Sequence, residues 1–583
     1  MSAPTRRRWI PRFNGGQWML LALVGAYAAT GALAWGALRV TDLLSGTHHG
    51  AGLSPTNVLL RALDGAVTWT TTTTVAAVAL TVLVVAIGWA LFALRGRLSA
   101  PGERVDLAAR HMGSLDEIAR LTEPEVRAKA AALKCTTDPF GLPIARAMLT
   151  KAPWLYLSWE DVAVHVWGPR TGKSSTQVVP KVVLAPGACV VTSNKRDVVD
   201  ATRDVRAARP GSQVWVFDPQ DLVGENPDWW WNPLSFVTDE VSAARLAKVF
   251  TDAQRPAGAR ADAYFDAAAI ELTANLLLAA AVAGRPLTDV YLWLTRPTDN
   301  EPVHILRERA YALSAASLDE TLRLPDRQRA GVYGTAKQTM SFLVNRQATA
   351  WVTPGAPGRR QFDAEAFARS TDTLYSVSKE GVGTAGPLVL ALTVAVLTAT
   401  EAYASTQRGG RLAVPMVVEL DEAANVCRWM ELPDMYSHYG SRGILVETYL
   451  QSYSQGVEVW GRDGMRKLWS AATIRTYGGG VAEPEFLNEL ATLIGDFERT
   501  SRSHSESASG ESRSWSGTNE QILNASDLGA MPPGRIVVFG SGTRPVMAKT
   551  EPWWKGPHAA AIQASVDQHE AGGAANAREQ VQA

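Results

Sequence analysis

A Gly-Lys-Ser turn stands between a strand-like and a helix-like segment in VHVWGPRTGKSSTQVVPKVV, residues 164–183. Residues 162–167 alternate and are mostly β-branched or aromatic, which is typical of a strand. The segment TQVVPKVVL that follows Ser175 has residues with which a helix can begin. A strand that turns through glycine into a helix aims successive backbone N–H groups at one point, helped by the positive end of the helix. The stretch therefore predicts an α/β fold with a phosphate-binding loop.

Three residues of this loop have the chemistry that a nucleotide needs. Gly172 lets the backbone approach closely, Lys173 would reach the β- and γ-phosphates, and the Ser174 hydroxyl would be a ligand of Mg²⁺. The strict pattern of a phosphate-binding loop is a glycine, four residues and then Gly-Lys-Ser or Gly-Lys-Thr. It places the first glycine at position 167, where this chain has Trp167, and Gly168 comes one place late. An ordinary turn is the competing interpretation of a Gly-Lys-Ser triplet. The candidate phosphate contacts are Gly168, Pro169, Arg170, Thr171, Gly172, Lys173, Ser174 and Ser175.

Two carboxylates far downstream complete the pattern. LAVPMVVELDEAANV is a hydrophobic strand pattern that ends in Asp421 and Glu422. A carboxylate at the end of a buried parallel strand can hold Mg²⁺, and the next one can polarise an attacking water. A further strand pattern, GILVETYLQSYSQ, includes Gln451, which can orient water or sense the γ-phosphate. An acidic loop or a plain polar strand end is the alternative at each place, but the loop and the carboxylates reinforce one another. Together they predict an ATP hydrolase with ATP and Mg²⁺ as its ligands.

Two uncharged runs near the amino terminus are long enough for membrane helices. Residues 75–94 are 20 residues without a charge, about 30 Å as a helix, and residues 18–38 form a similar run. By the positive-inside rule the flanking arginines place both ends in the cytoplasm. We therefore expect residues 1–100 to anchor the chain in the inner or plasma membrane, with a cleaved signal peptide as the alternative. These arginines are Arg6, Arg7, Arg8, Arg12, Arg95 and Arg97.

Two later apolar runs are predicted to be buried helices instead of spans. AIELTANLLLAAAVAG contains Glu271 and ends at Gly284 with Pro286 just beyond. PLVLALTVAVLTAT is only 14 residues long and starts with Pro387, a residue favoured in the first turn of a helix.

Composition narrows the class of protein. A chain of 583 residues is too long for one core, so several domains are expected. Lys plus Arg and Asp plus Glu both count 57, so any surface for DNA must be local. Cys135, Cys189 and Cys427 are far apart and lack metal-ligand spacing, which indicates reduced thiols in a cytosolic domain.

Changes of pattern along the chain predict its domains. Residues 237–352 are rich in Ala, Leu, Arg and Glu with few strand signals, which favours an all-α insertion. The Ser-rich segment 498–520 is typical of a mobile loop. The full prediction is a membrane anchor over 1–100, a helical linker over 101–150, an ATPase domain over 151–236 and 353–555 interrupted by the insertion at 237–352, and a disordered tail over 556–583.

With these motifs the chain resembles the membrane-anchored coupling ATPases of conjugative type IV secretion, the TraG/TraD class. The resemblance covers most of 155–555 and includes PGACVVTSNKRDVVDATRDVRAARPGSQVWVFDPQD, WWWNPLSF and GVEVWGRDGMRKLWSAATIRTYGG. Gln451 and Gln455 stand where the family has two glutamines. The resemblance implies a RecA-like P-loop ATPase domain with an inserted all-α domain, preceded by two transmembrane helices.

The same resemblance implies partners and a role. The family assembles as a hexamer and couples ATP hydrolysis to delivery of DNA, single- or double-stranded, or of a relaxase–DNA complex, to a type IV secretion channel at the inner membrane. The family often has an arginine two places before Arg442, where this chain has Gly440. Arg442 is therefore the candidate for an arginine that acts on a neighbouring subunit's nucleotide. A surface arginine in a turn is the alternative.

Three other functions fit parts of the sequence. An FtsK-like double-stranded DNA translocase would share the spans and the motor, but the segment after Trp554 is short and polar for a winged DNA-reading domain. A secretion receptor for protein substrates without DNA would have the same motor. A degenerate scaffold would explain the shortened loop, but Lys173, Asp421 and Glu422 are intact.

Overall fold

The computed structural model describes residues 15–48, 52–98, 104–135, 137–254, 262–379, 385–507 and 510–570. These form two compact units, which divide after Gly102. Arg6, Arg7, Arg8 and Arg12, and residues 571–583 of the predicted tail, lie outside the described residues.

The first unit holds the two predicted spans. Its helices are α1 (Gly15–Ser45), α2 (Val58–Leu63) and α3 (Thr71–Leu98), and the predicted spans fall inside α1 and α3. The helices α1 and α3 touch, since a Cβ on Gly36 would lie 3.4 Å from the Leu80 side chain. In the part of the chain that the structure describes, three helices are long and apolar enough to cross a membrane: Thr71–Trp89, Tyr264–Val282 and Gly386–Thr406.

Burial separates the first of these helices from the other two. Buried residues make up 11% of Thr71–Trp89, against 56% of Tyr264–Val282 and 67% of Gly386–Thr406. The two later helices therefore cover their apolar surface with protein, as the sequence predicts. The Thr71–Trp89 helix leaves its apolar surface open, which is the property that a lipid-facing helix needs.

The first elements of the second unit include β3 and α6, which flank the phosphate-binding loop. They are α4 (Arg104–Ala108), α5 (Glu123–Ala132), β1 (Leu142–Ala147), β2 (Trp154–Leu157), β3 (Ala163–Val166), α6 (Val179–Leu184), β4 (Cys189–Ser193), α7 (Asp197–Ala207), β5 (Val214–Phe217) and β6 (Trp229–Trp231).

Helices follow in the segment predicted as an all-α insertion. Between β6 and the next strand, the described residues form α8 (Glu240–Gln254), α9 (Ala263–Val282), α10 (Leu287–Leu294), α11 (Glu301–Glu308), α12 (Ala312–Leu322), α13 (Asp326–Thr339) and α14 (Arg346–Ala350). They belong to the same compact unit as the sheet. That these helices form a separate inserted domain remains a prediction.

The chain then returns to the sheet. The remaining elements are β7 (Arg360–Phe362), α15 (Ala364–Ala368), β8 (Thr373–Val377), α16 (Gly386–Thr406), β9 (Met416–Leu420), α17 (Ala423–Val426), α18 (Leu432–Arg442), β10 (Ile444–Leu450), α19 (Tyr453–Ala471), β11 (Ile474–Tyr477), α20 (Pro484–Ile494), β12 (Asp496–Ser507), β13 (Gly510–Gln521), α21 (Ala525–Gly529), β14 (Arg535–Gly540), β15 (Val546–Lys549) and α22 (Ala559–His569).

One eleven-stranded sheet organises this unit. Its order is β2-β1-β15-β14-β11-β3-β10-β9-β4-β8-β5, and the strands from β11 to β5 are parallel to one another. Every residue of β3, β4, β8, β9 and β10 is buried, as parallel strands are when helices cover both faces. Alternate side chains of these strands pack with α6 and α7 on one face and with α16 and α18 on the other. The predicted α/β fold class is confirmed.

Three segments differ from the sequence predictions. Residues 142–147, inside the predicted helical linker, form β1 and pair with β2 and β15. The Ser-rich segment is a two-stranded hairpin of β12 and β13, because backbone pairing requires no particular side chain. In the predicted disordered tail, α22 packs on α7 and buries Ile562 and Ser565. Contacts with distant segments decide the first and the third, and composition alone does not report such contacts.

Candidate nucleotide-binding site

Three neighbouring parallel strands bring the predicted site residues together. In the order β3-β10-β9, Val166 pairs with Leu450, and Thr448 pairs with Leu420, so the three carboxyl ends lie at one edge of the sheet. The loop with Lys173 follows β3, the two carboxylates follow β9, and Gln451 follows β10. Ligands of open α/β sheets bind outside the carboxyl ends of the strands.

Lys173 lies between the two carboxylates. Its Nζ is 2.8 Å from Asp421 Oδ1 and 2.5 Å from Glu422 Oε1, and Gln451 Nε2 donates to Glu422 Oε2 at 2.8 Å. Burial alone would lower the pKa of Lys173, but the charges of Asp421 and Glu422 outweigh it and raise that pKa. Burial raises the pKa of Asp421, against the opposing pull of Lys173. The group is a charged cluster whose lysine stays cationic at neutral pH.

Glu422 is held in an uncommon backbone conformation. Its φ is 55° and its ψ 43°, the left-handed region that side chains other than glycine rarely adopt. The backbone just before it is fixed from β4, since Thr192 Oγ1 donates to the Asp421 carbonyl at 3.1 Å. Such strain persists only where surrounding structure over-determines it, and it concentrates at functional sites.

The phosphate-binding loop turns at Gly172. Its φ of 89° is a conformation that favours glycine, and the Ser175 and Thr176 hydroxyls donate to its carbonyl at 3.1 and 2.8 Å. The helix then starts as a π-helical turn over Ser174–Val178 and continues as α6. Pro180 explains this irregularity, because proline removes a backbone donor from the first turns.

A glycine run packs behind the loop and accounts for the shifted Gly168. Residues 478–480 are all glycine; a Cβ on Gly168 would lie 2.0 Å from the Gly480 carbonyl oxygen, and a Cβ on Gly478 would lie 2.1 Å from the Trp167 ring. The indole Nε1 of Trp167 donates to Thr476 Oγ1 at 2.9 Å. Trp167 thus extends β3 and packs on the run, and Gly168 is required by close backbone approach. Sequence reasoning missed this role, although three successive glycines after a strand are a visible signal.

Gly478→Ala is expected to lower the free energy of unfolding by about 1–3 kcal/mol, because the new methyl group must displace the buried Trp167 ring. Urea denaturation of the full chain in detergent measures it. Gly334→Ala is the matched control, since a Cβ there meets nothing within 4 Å in the helix α13. Equal stability of the two variants would contradict the packing argument.

Arg442 lies away from the cluster of Lys173, Asp421 and Glu422. It ends α18, before β10, whereas Gln451 follows β10, so the seven-residue strand, about 23 Å long, separates the two. Its Nη1 donates to the Gly410 carbonyl at 2.9 Å. Within one chain Arg442 therefore lies at the opposite edge of the sheet, and action on a neighbouring subunit stays a prediction.

The donor set fits Mg²⁺ bound together with a nucleotide. Among the described residues no group of three or more His, Cys, Asp or Glu side chains could hold a metal ion by itself. Mg²⁺ is usually held by one or two carboxylates, water and substrate phosphates instead of an all-protein cage. Asp421 and Ser174, at the strand end and the loop, supply such a set.

A second charged cluster lies under the site and was not predicted from the sequence. Lys181 of α6 donates to Glu447 of β10, and His165 Nε2 of β3 lies 2.9 Å from the same Glu447 oxygen. Glu447 pairs in register with Glu419 of β9, and all four residues are at most 1% exposed. The cluster therefore links the loop helix to the three strands that carry the site.

Burial and charge set the protonation of this cluster. Burial and the charge of Lys181 lower the pKa of His165 to about 4. Burial alone would raise the pKa of Glu447, but Lys181 and His165 outweigh it and hold that pKa at about 2. Burial is the larger cause that raises the pKa of Glu419 well above its ordinary value, and the negative charge of Glu447 adds to it. Glu447 is thus ionised and His165 neutral at pH 7, and Glu419 stays protonated to a higher pH than an ordinary carboxyl group does.

Glu419→Gln is expected to raise the free energy of unfolding above pH 4.5, by up to about 1.4 kcal/mol per pH unit. The native carboxyl stays neutral while the unfolded chain ionises it above its ordinary pKa of 4.5, so the wild-type side chain favours unfolding as pH rises. Urea denaturation at pH 5 and pH 8 measures the difference. Glu458→Gln, on an exposed face of α19, is the control. An unchanged pH dependence would show that Glu419 is ionised in the native state.

One known family matches part of the chain. Residues 415–533, from β9 to α21, match the family described as the TraM recognition site of TraD and TraG. This segment includes Asp421, Glu422, Arg442 and Gln451. No curated protein matches the chain. The resemblance to TraG/TraD-type coupling proteins is confirmed.

Two solved structures of a conjugative coupling protein share the fold. The bacterial conjugative coupling protein TrwBdeltaN70 in an unbound form is 15% identical, with a TM-score of 0.51 over 72% of this chain and 91% of that chain. Its complex with sulphate is 16% identical, with a TM-score of 0.50 over 72% and 92%. TrwB in complex with ADP and Mg²⁺ is 16% identical, with a TM-score of 0.49 over 72% of this chain and 92% of that chain.

Proposed function

We propose that this chain is a membrane-bound ATPase that couples ATP hydrolysis to delivery of DNA, or of a relaxase–DNA complex, to a type IV secretion channel. The observation that carries the ATPase part is the position of Lys173 between Asp421 and Glu422, with Gln451 on Glu422. The match of residues 415–533 to TraD and TraG and the shared fold with a conjugative coupling protein support the transport part.

Each residue of the cluster has a task in this proposal. Lys173 leaves its two carboxylates and neutralises the β- and γ-phosphates when ATP binds. Glu422, freed from Lys173, takes a proton from the attacking water, and the Gln451 amide holds Glu422 in place for that step. Mg²⁺ bound by Ser174 and Asp421 would supply positive charge to the phosphate oxygens.

Gln451 also connects the site to the helix α19. Its backbone N–H donates to Gln455 Oε1 at 3.0 Å, and α19 begins two residues later. Loss of the γ-phosphate would change the contact of Gln451 with Glu422 and so move the start of α19. This is the route by which we propose that hydrolysis drives the next step of transport.

The proposal extends to assembly and partners. We propose a hexamer at the inner membrane, anchored by α1 and α3, in which Arg442 completes a neighbouring subunit's site. An arginine in that role accelerates hydrolysis by about 10³–10⁵-fold where one exists. Residues 415–533 would include a recognition site for a TraM-type relaxosome partner.

ATP hydrolysis by the full chain in lipid nanodiscs tests the proposal, with single-stranded DNA, duplex DNA or no nucleic acid added. Turnover that rises with DNA supports a DNA motor, and the better activator identifies the strand form. Turnover indifferent to both DNAs would favour a receptor for protein substrates. Absence of hydrolysis with and without DNA would reject the ATPase proposal.

A further inference from the structure

A cavity of about 530 Å³ lies where residues 104–111, at the start of the second unit, meet the base of the β12–β13 hairpin. This volume falls in the range of pockets that hold small ligands, about 300–1,000 Å³. Of the described residues that line the cavity, three are arginines, Arg104, Arg110 and Arg499, and one is acidic, Glu520. The cavity is therefore a cationic site outside the cluster of Lys173.

The wall formed by residues 104–111 buries one face and exposes the other. Val105 and Ala108 are 5% and 8% exposed and pack in a core shared with α20 and β14. Arg104, Leu107 and Arg110 recur at every third residue, and all three are exposed, Leu107 by 54%. An apolar side chain thus stands between two cationic ones on the open face.

Two contacts fix this wall in place. The Asp106 carboxylate accepts hydrogen bonds from Arg535 of β14 at 2.7 and 2.8 Å. The His111 ring stacks on the Phe497 ring of β12, with the ring centroids 4.0 Å apart. The wall is therefore joined to both the sheet and the hairpin.

The charges around the cavity do not cancel. Arg499 pairs with Glu520 at 3.0 Å, and Arg104 pairs with Asp527 at 3.2 Å. Arg110 has no acidic partner among the residues that the structure describes, and it donates to the adjacent imidazole ring instead. One positive charge is left over, so the ligand that this cavity fits is an anion.

The position of the cavity along the chain identifies the source of the anion. Five residues separate Leu98, the last residue of α3, from Arg104, and this stretch reaches at most about 22 Å when fully extended. The bound follows from chain length alone. It keeps the cavity close to the bilayer that α3 is proposed to span, where headgroups carry phosphate anions.

We propose that this cavity binds the headgroup phosphate of an anionic phospholipid, with Arg110 as the main cationic contact and Leu107 against the start of the acyl chains. Basic residues that follow a membrane helix attract anionic lipids, and an apolar side chain among them favours the boundary between headgroups and acyl chains. A soluble phosphate ester shares the anion but has no apolar part for Leu107. The inference rests on the proposed membrane anchorage and deepens it.

Native mass spectrometry of the full chain in detergent tests the inference, with equal amounts of phosphatidylglycerol and phosphatidylcholine added. The wild-type chain is expected to retain phosphatidylglycerol in preference to phosphatidylcholine. Arg110→Gln is expected to lower that preference about fivefold, the effect of one basic residue near an anionic surface. Arg110→Lys keeps the charge and is expected to restore most of the preference, and Glu520→Gln is expected to raise it.

Arg127→Gln is the matched control. Arg127 of α5 is 60% exposed, pairs with Glu123 and does not line the cavity. Its loss is expected to leave the lipid preference unchanged. An unchanged preference in Arg110→Gln, or an equal fall in Arg127→Gln, would overturn the inference, because attraction would then come from positive surface in general.

Glycerol 3-phosphate distinguishes the two sources of the anion. It carries a phosphate ester without acyl chains, and in excess it is expected to leave the bound phosphatidylglycerol in place. Displacement of the lipid by this compound would show that the cavity is a site for soluble phosphate esters, and the assignment to a lipid would be wrong.

Sedimentation with phosphatidylcholine vesicles separates failure of the cavity from failure of the proposed anchor. The wild-type chain and Arg110→Gln are both expected to pellet with the vesicles, because α1 and α3 insert without Arg110. A chain that pellets but shows no preference for phosphatidylglycerol keeps its anchor and loses the cavity as a lipid site. A chain that stays in the supernatant has no anchor, and the inference is rejected with it.

Discussion

Lys173→Ala is expected to lower kcat/KM for ATP by about 10²- to 10³-fold, the loss found when one preorganised electrostatic partner of the transition state is removed. The lysine is nearly buried and carries a pKa raised by its two carboxylates, so it is charged at every working pH. Its removal also leaves Asp421 and Glu422 buried side by side without a cation, so binding of the anionic nucleotide becomes less favourable. Phosphate release from the full chain in nanodiscs measures the rate.

Two variants make this result specific. Lys129→Ala removes a half-exposed lysine that pairs with Glu160 at 3.0 Å outside the site, and it is expected to keep wild-type turnover. Glu422→Gln is expected to keep ATP affinity but to lose about 10²–10⁴-fold in kcat, because an amide cannot take the proton. Wild-type turnover in Lys173→Ala would contradict the assignment of the loop.

The meeting of Lys173, Asp421, Glu422 and Gln451 follows from local sequence patterns. Each motif stands at the carboxyl end of an apolar strand pattern, and parallel strands place those ends at one edge of the sheet. The parallel sheet and this convergence could therefore be predicted. The order of the strands, with β10 between β3 and β9, is set by pairing between distant segments and is not visible in any one motif.

What the sequence did not predict depends on contacts between distant residues. Trp167 meets Thr476 and Gly478, and Lys181 meets Glu447, although hundreds of residues separate the partners along the chain. A lysine in a helix pattern and a glutamate in a strand pattern each suggest a solvated side chain. Only the packing of α6 on β10 shows that these two charges are buried together.

The buried pair of Lys181 and Glu447 gives the largest expected effect on stability. Glu447→Gln is expected to lower the free energy of unfolding by about 3–5 kcal/mol, since it leaves the Lys181 ammonium fully buried without its counter-charge. Adding Lys181→Met is expected to recover most of that loss, because a well-packed neutral pair avoids the desolvation of both charges. Urea denaturation of the two single variants and the double variant at pH 7 gives the coupling free energy.

The exposed pair of Lys467 and Asp434 is the matched control, with side chains 59% and 63% exposed. The same cycle there is expected to give a coupling of at most about 1 kcal/mol, because water screens both charges. Loss of Lys181 alone should be milder than loss of Glu447, since His165 remains beside Glu447 and its pKa rises once the lysine charge is gone. Additive effects of Lys181→Met and Glu447→Gln would show that the two charges do not interact, and that the loop helix is held on the sheet by apolar packing alone.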